Sequence, residues 1–209
     1  MTQYLVVFDV DSTLIEDEVI ELLADVAGKR EEVAAVTERA MAGELDFAES
    51  LIERVRTLEG LPESVFADVQ KRITITTGAI ETVAAIQKAG GKVGAVSGGF
   101  NQLLEPLSKI LNLDFARANQ LEVIDGKLTG RVIGGIIDRT AKSDALKEWS
   151  QLTGLDHTVA VGDGANDLEM MATANLGVAF NAKPIVREKA DVVIEGNDLR
   201  SLLEILEIA

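Results

Sequence analysis

Short apolar runs recur along the chain: LVVFDV (Leu5 to Val10), KVGAVSGG (Lys92 to Gly99), TVAVGDG (Thr158 to Gly164), LGVAF (Leu176 to Phe180) and DVVIE (Asp191 to Glu195). Runs this short and this continuously apolar suit strands buried on both faces, so they predict parallel strands. Between them lie stretches with apolar residues at helical spacing, among them AIETVAAIQKAG (Ala79 to Gly90) and AKSDALKEWSQLTG (Ala141 to Gly154). Each closes on a glycine that can take the left-handed conformation at a helix end. Strand alternating with helix predicts an α/β fold, a doubly wound and mostly parallel sheet.

One stretch breaks the alternation. Between about Ile15 and Thr74 only helical patterns occur: EDEVIELLADVAG, REEVAAVTERAMAG, DFAESLIERVRTLEG and PESVFADVQKRI. This predicts a small helical cap domain, residues 15–74, inserted after the first strand of an α/β core made of residues 1–14 and 75–209. Ligands of open α/β sheets bind beyond the carboxyl ends of the strands, so an insertion there is placed as a lid. A second departure is LEVIDGKLTGRV (Leu121 to Val132), whose Asp125-Gly126 between β-rich runs predicts a hairpin.

Composition narrows the field. The 209 residues are 47% hydrophobic but only 4% aromatic, so the interior must be mostly Ala, Val, Ile and Leu. A formal charge of -15 with no basic window disfavours nucleic acid as a partner. The absence of cysteine rules out disulfides and thiolate metal sites and fits a reducing compartment. The opening MTQYLVVFDV has neither the basic nor the long apolar region of an export signal, and no later run reaches a membrane span. The expectation is a soluble, cytoplasmic protein without a membrane partner.

The candidate chemistry sits where apolar runs end in acid. Asp9 and Asp11, two apart on an extended strand, would project to one side at the ligand edge; the alternative is that Asp11, Ser12 or Thr13 only caps the next helix. TVAVGDGANDLEMM repeats the arrangement, with Asp163 and then Asp167 across a Gly-Ala-Asn turn. Carboxylates converging from two strands raise one another's pKa unless a cation neutralises them, and oxygen-only ligands suit Mg²⁺. The alternative here is a helix-capping Asp167 beside a solvated Asp163. Ser97-Gly98-Gly99 ends another run with a hydroxyl and unhindered amides, which favour an anion, although the triplet is also ordinary turn chemistry. Lys142 lies in the first turn of a helix, against the macrodipole, so it either faces solvent or is recruited by nearby negative charge.

Together these stretches resemble the haloacid dehalogenase superfamily. Its four motifs match Asp9-Val10-Asp11-Ser12-Thr13, Ser97, Lys142 and Gly162 to Asp167, in order. The likeness extends to the phosphoserine phosphatase family over nearly the whole chain, including VSGGF, ANQL, DGKLTG, VGDGAND and AKP. It implies Mg-dependent hydrolysis of O-phospho-L-serine at the end of serine biosynthesis, with Asp9 as nucleophile and Asp11 as general acid and base. It implies that Asp9, the backbone carbonyl of Asp11 and Asp163 hold the metal. Ser97, Gly98, Lys142 and Asn166 would meet the substrate's phosphoryl end, and Asp167 would orient metal ligands or Lys142. Within the insertion, Glu18 would meet the substrate ammonium and Arg54 its carboxylate, a planar group that the guanidinium fork can bind at both oxygens. Met41 and Phe47 would pack around the substrate. A homodimer is compatible with this reading. The alternatives are a phosphotransferase, a phosphatase for another small phosphomonoester, a silent phosphometabolite binder, or dehalogenation by the same aspartate. His157 reads as a turn residue, Trp149 as packing its helix to the sheet, and Met170 and Met171 as core.

Overall fold

The computed structural model describes residues 2–41 and 44–208. Its centre is β1 (Tyr4–Phe8), in which Leu5, Val6, Val7 and Phe8 are wholly buried. Alternation along the strand sends Val6 and Phe8 into one hydrophobic cluster and Leu5 and Val7 into another on the opposite face. Both faces are therefore covered, which is why the run is continuously apolar. β1 pairs in parallel with β2 (Lys92–Phe100) on one side and β5 (His157–Gly162) on the other. With β3 (Phe115–Ile124), β4 (Lys127–Ile133), β6 (Leu176–Phe180) and β7 (Val192–Ile194) they form one seven-stranded sheet in the order β4-β3-β2-β1-β5-β6-β7, parallel except for β4. The expected hairpin is β3–β4. Its turn residues Asp125 and Gly126 have φ of 50° and 72°, the left-handed pair that a two-residue hairpin turn requires.

Helices α1 (Val19–Val26), α2 (Arg30–Met41), α3 (Phe47–Arg56) and α4 (Val65–Gln70) all lie between β1 and α5 (Ala79–Lys88). Among the described residues this stretch contributes isolated bridges only, Ile15 to Ile75 and Pro62 to Lys127. Its two ends lie side by side, since Glu16 N–H donates to the Thr74 carbonyl at 2.9 Å and Thr76 N–H to that of Leu14 at 3.0 Å. The apolar faces of these helices, through Leu23, Leu51, Val55 and Val69, join the same cluster as Val6 and Phe8. α5, α6 (Asn101–Leu111) and α10 (Ser201–Ile205) cover that face of the sheet, while α7 (Arg139–Thr153), α8 (Leu168–Thr173) and α9 (Pro184–Arg187) cover the other.

Trp149 of α7 stacks on Phe115 at 5.2 Å between ring centroids. Gly94 makes room for it, because a Cβ there would lie 2.5 Å from the indole. Met170 and Met171 are core residues of the same face. Among the described residues, no helix is long and apolar enough to cross a membrane.

Candidate active site

The carboxyl ends of β1, β2 and β5 converge on a cavity of about 180 Å³. β1 ends at Phe8, one residue short of the first acid, and the Asp9 N–H bonds to the Val161 carbonyl at 2.8 Å to hold it between the central strands. The sequence expectation that Asp9 and Asp11 share one face of an extended strand is corrected here. The chain leaves the strand and winds through a wide helical turn, residues 10–14, with Asp11 extended and Ser12 at φ 58°. Asp11 reaches the cavity through that reversal, and both carboxylates line it. Ser12 does not cap a following helix, since its hydroxyl donates to Glu18 Oε1 at 2.8 Å. The Asp11 carboxylate, by contrast, faces the Val19 backbone amide at the start of α1, which favours its charged form.

Lys142 sits in the first turn of α7, whose N-cap Asp138 accepts from the Ala141 N–H at 2.9 Å. It is 1% exposed, and its ammonium donates to Asp9 Oδ1 at 2.5 Å and to Asp167 Oδ1 at 2.7 Å. Negative charge has recruited it, which overcomes the unfavourable helix end. Asp167 stands at the N-cap of α8, but its side chain makes no capping bond to that helix. Its second oxygen accepts from the Gly164 N–H at 3.0 Å, so the carboxylate is spread between loop and lysine. Gly162 is required by this approach, because a Cβ there would lie 2.5 Å from Asp167 Cγ.

Asp9, Asp163 and Asp167 each bring one carboxylate oxygen within 4.8 Å of the others. Burial first, then the charge of Asp167, pushes Asp9 up to about 7 and Asp163 up to about 6. Burial followed by Glu18 and Asp9 pushes Asp11 well above the carboxylate range. Burial works against the charged form of Lys142, but Asp9 and Asp167 outweigh it and hold the ammonium above its ordinary value. Four carboxylates around one buried ammonium leave a surplus of negative charge. The Oδ1 atom of Asp11 is buried without a partner, and every donor in the set is a hard oxygen. Such residues fit a small divalent cation. Asp167 already has both oxygens engaged, which makes Asp9 and Asp163 the more available carboxylates.

At the end of β2, Ser97, Gly98 and Gly99 line the cavity, and the Gly99 N–H donates to Ser97 Oγ at 2.7 Å. The Gly98 carbonyl is fixed by Asn119 Nδ2 at 2.8 Å. Bare backbone is needed at Gly99, since a Cβ would lie 2.7 Å from Val19 and 3.0 Å from Ser97 Oγ. Glu18, Phe47 and Arg54 close the cavity from the helical side, and Asn166 lines it from the loop after β5. Burial lowers the Arg54 guanidinium, an effect opposed by Glu18, Asp11 and Glu21. Its Nε donates to the Ser50 carbonyl at 3.2 Å. The side chain of Met41 lies outside the described residues.

The same cavity is lined by Ile20, Leu51, Phe100 and Lys183, which sequence reasoning did not single out. Lys183 had a signal in the AKP triplet. Its N–H bonds to the Asp163 carbonyl at 3.0 Å and its ammonium lies 4.0 Å from Asp163 Oδ2. One chamber thus joins a carboxylate pair, a cation-suited cluster and an anion-suited loop to an acid and an arginine from the helical side.

A family model described as haloacid dehalogenase-like hydrolase matches residues 6–172. The chain is 52% identical to a phosphoserine phosphatase of Streptococcus thermophilus over 97% of its own length and 95% of the relative's. It is 51% identical to a phosphoserine phosphatase of Mycobacterium tuberculosis over 99% of its length, but spans only 51% of that longer protein. Among solved structures, a phosphoserine phosphatase described as a phospho-aspartyl intermediate analogue superimposes with a TM-score of 0.91 at 45% identity, covering 98% of this chain and 99% of the other.

Proposed function

Because the chain belongs to the haloacid dehalogenase-like hydrolases, and within them to the phosphoserine phosphatase family, we propose that it hydrolyses O-phospho-L-serine to serine and phosphate. The observation that carries this reading is the shared cavity, whose lining combines Asp9 and Asp11 with Glu18 and Arg54. An acid and an arginine in one chamber are what the ammonium and carboxylate of an amino acid demand, and a phosphate without those groups could use neither.

Asp9 attacks phosphorus and displaces the serine oxygen, forming an acyl phosphate. Asp11, raised by its buried and acidic surroundings, delivers a proton to the departing oxygen. In the second half it takes a proton from the water that attacks the aspartyl phosphate, releasing phosphate and restoring Asp9. Ser97 and the amides beside it receive the phosphoryl oxygens. Lys142, anchored by Asp167, offsets charge building between nucleophile and phosphate. Asn166 meets the substrate from the loop after β5. Asp9, Asp163 and the backbone carbonyl of Asp11 would hold Mg²⁺, which when bound neutralises the carboxylates and screens Asp9 from the incoming dianion. Residues 15–74 act as a cap over the 1–14 and 75–209 core, excluding water while the acyl phosphate forms. On this reading the enzyme performs the last step of serine biosynthesis and works in the cytoplasm, a reducing compartment that a cysteine-free chain suits.

The test is phosphate release from L-phosphoserine and from a panel of other phosphomonoesters, with Mg²⁺ and with excess EDTA. Metal-dependent release that strongly favours phosphoserine supports the reading. Equal turnover of esters lacking the ammonium and carboxylate overturns the assignment of Glu18 and Arg54.

A further inference from the structure

The DGKLTG stretch forms a hairpin on which the proposed chemistry makes no demand, yet it is riveted to the helix that carries Arg54. After α3 the chain runs along β4: the Gly60 N–H donates to the Leu128 carbonyl at 2.8 Å, the Leu128 N–H to the Leu61 carbonyl at 2.8 Å, and the Glu63 N–H to the Gly126 carbonyl at 2.8 Å. Opposite Glu122 the β3–β4 register shifts. The Glu122 carboxylate clips that bulge by accepting from Thr129 Oγ1 at 2.7 Å and from Arg131 Nε at 2.8 Å.

Gly130 lies in the bulge with φ 77°, and a Cβ built on it would stand 3.0 Å from Glu59 Cβ and 3.3 Å from Arg56 Cα. A glycine inside a strand weakens it, and it is found where another backbone approaches closely. Here the approaching backbone is the carboxyl end of α3, two residues beyond Arg54. The other end of α3 also meets bare backbone: a Cβ on Gly98 would lie 3.0 Å from Phe47 Cζ. α3 thus meets a glycine of the sheet through its backbone at Arg56 and through the tip of the Phe47 ring at its start.

We propose that the β3–β4 hairpin is a strut that sets the position of Arg54, and that Gly130 is a positioning residue for recognition of the substrate carboxylate. This rests on the reading of the cavity as a phosphoserine site. A methyl group at 130 displaces the end of α3 by a few tenths of an ångström, which misplaces the guanidinium relative to the carboxylate of a substrate whose ammonium is held by Glu18 and whose phosphate is held at the phosphoryl site.

Steady-state kinetics on L-phosphoserine test this with Gly130→Ala, with Arg54→Ala, with the double variant, and with Gly126→Ala as control. Gly126 has φ 72° but nothing within 4 Å of its Cβ position, so that substitution carries similar backbone strain without the contact. Gly130→Ala is expected to raise KM about 3- to 10-fold with kcat within about 2-fold. In the Arg54→Ala background it should leave kcat/KM unchanged, because the group it misplaces is gone. Gly126→Ala should leave KM unchanged. The strut is overturned if the Gly130→Ala effect persists without Arg54, if Gly126→Ala matches it, or if kcat falls instead of KM rising. Should Gly130→Ala fail to fold, the same cycle is run with Glu122→Ala, which releases the bulge but leaves Gly130 bare; a KM change that needs Arg54 supports the strut, and its absence overturns it. Failure of the underlying reading is separate, because the unaltered enzyme would then release no phosphate from phosphoserine.

Discussion

The centre of the site is a lysine where a helix should not want one. Lys142 bridges Asp9 and Asp167 in a buried setting, and breaking such a pair from one side leaves charge uncompensated. Lys142→Met is therefore expected to lower unfolding free energy by about 3–5 kcal/mol near neutral pH, read by urea unfolding in EDTA. The loss should shrink in acid, where a proton on Asp9 replaces the ammonium. A loss that is flat with pH would mean that the lysine is not balancing those carboxylates. Asp9, Asp11, Lys142, Asp163 and Asp167 were legible because each defies its local context: acid where an apolar run ends, or a cation at a helix's positive end. Lys183, at the N-cap of α9 and within the AKP triplet, shares that oddity, but neither it nor Ser12 announces its partner. Ser12 meets Glu18 only because the chain reverses at φ 58°, and Lys183 meets Asp163 only because two loops adjoin.

Elements hold these residues in place by close backbone approach. β5 ends in Gly162, whose missing side chain is the space that Asp167 fills. Gly162→Ala should cost about 1–3 kcal/mol by overpacking. It should also lower kcat by about 100-fold or more, because Asp167 can yield only by dragging Lys142 off Asp9. Retained kcat with unchanged unfolding would remove Asp167 from its orienting role. At this scale the sequence was readable wherever a strand is buried on both faces, as in β1, β2, β5 and β6. β3 was readable only at its hairpin end. Its first half, Phe115 to Gln120, carries Arg117, Asn119 and Gln120 among its apolar residues. Tertiary partners explain them: Arg117 lies 5.5 Å over the Trp149 ring, the Asn119 side chain ties Gly98 to Ile137, and Gln120 Oε1 accepts from Asn101 Nδ2 at 3.3 Å. None of these partners is near in sequence, so no local pattern announces the strand.

For the whole molecule, the acidic cluster links stability to pH and metal. In the metal-free protein Asp9 is raised to about 7 and Asp163 to about 6, above the 3.8 of an ordinary aspartate. The folded state then holds protons that the unfolded chain has released, so these groups erode stability as pH rises from 3.8 through 7. Added Mg²⁺ should raise the melting temperature more near pH 7.5 than near pH 5. At about 100 times its Kd the gain at the higher pH is about 2.7 kcal/mol, or on the order of 5–10 °C for a chain of this size. An equal shift at both pH values would separate the metal from these carboxylates. The central claim is that Asp9 carries the phosphoryl group. It is tested most directly by mixing the Mg²⁺-loaded enzyme with L-phosphoserine labelled in its phosphate, quenching rapidly in acid and mapping the label. Label is expected on the peptide bearing Asp9, released by hydroxylamine as an acyl phosphate and absent from Asp9→Asn. Full turnover without such an adduct, or with Asp9→Asn still active, would contradict it.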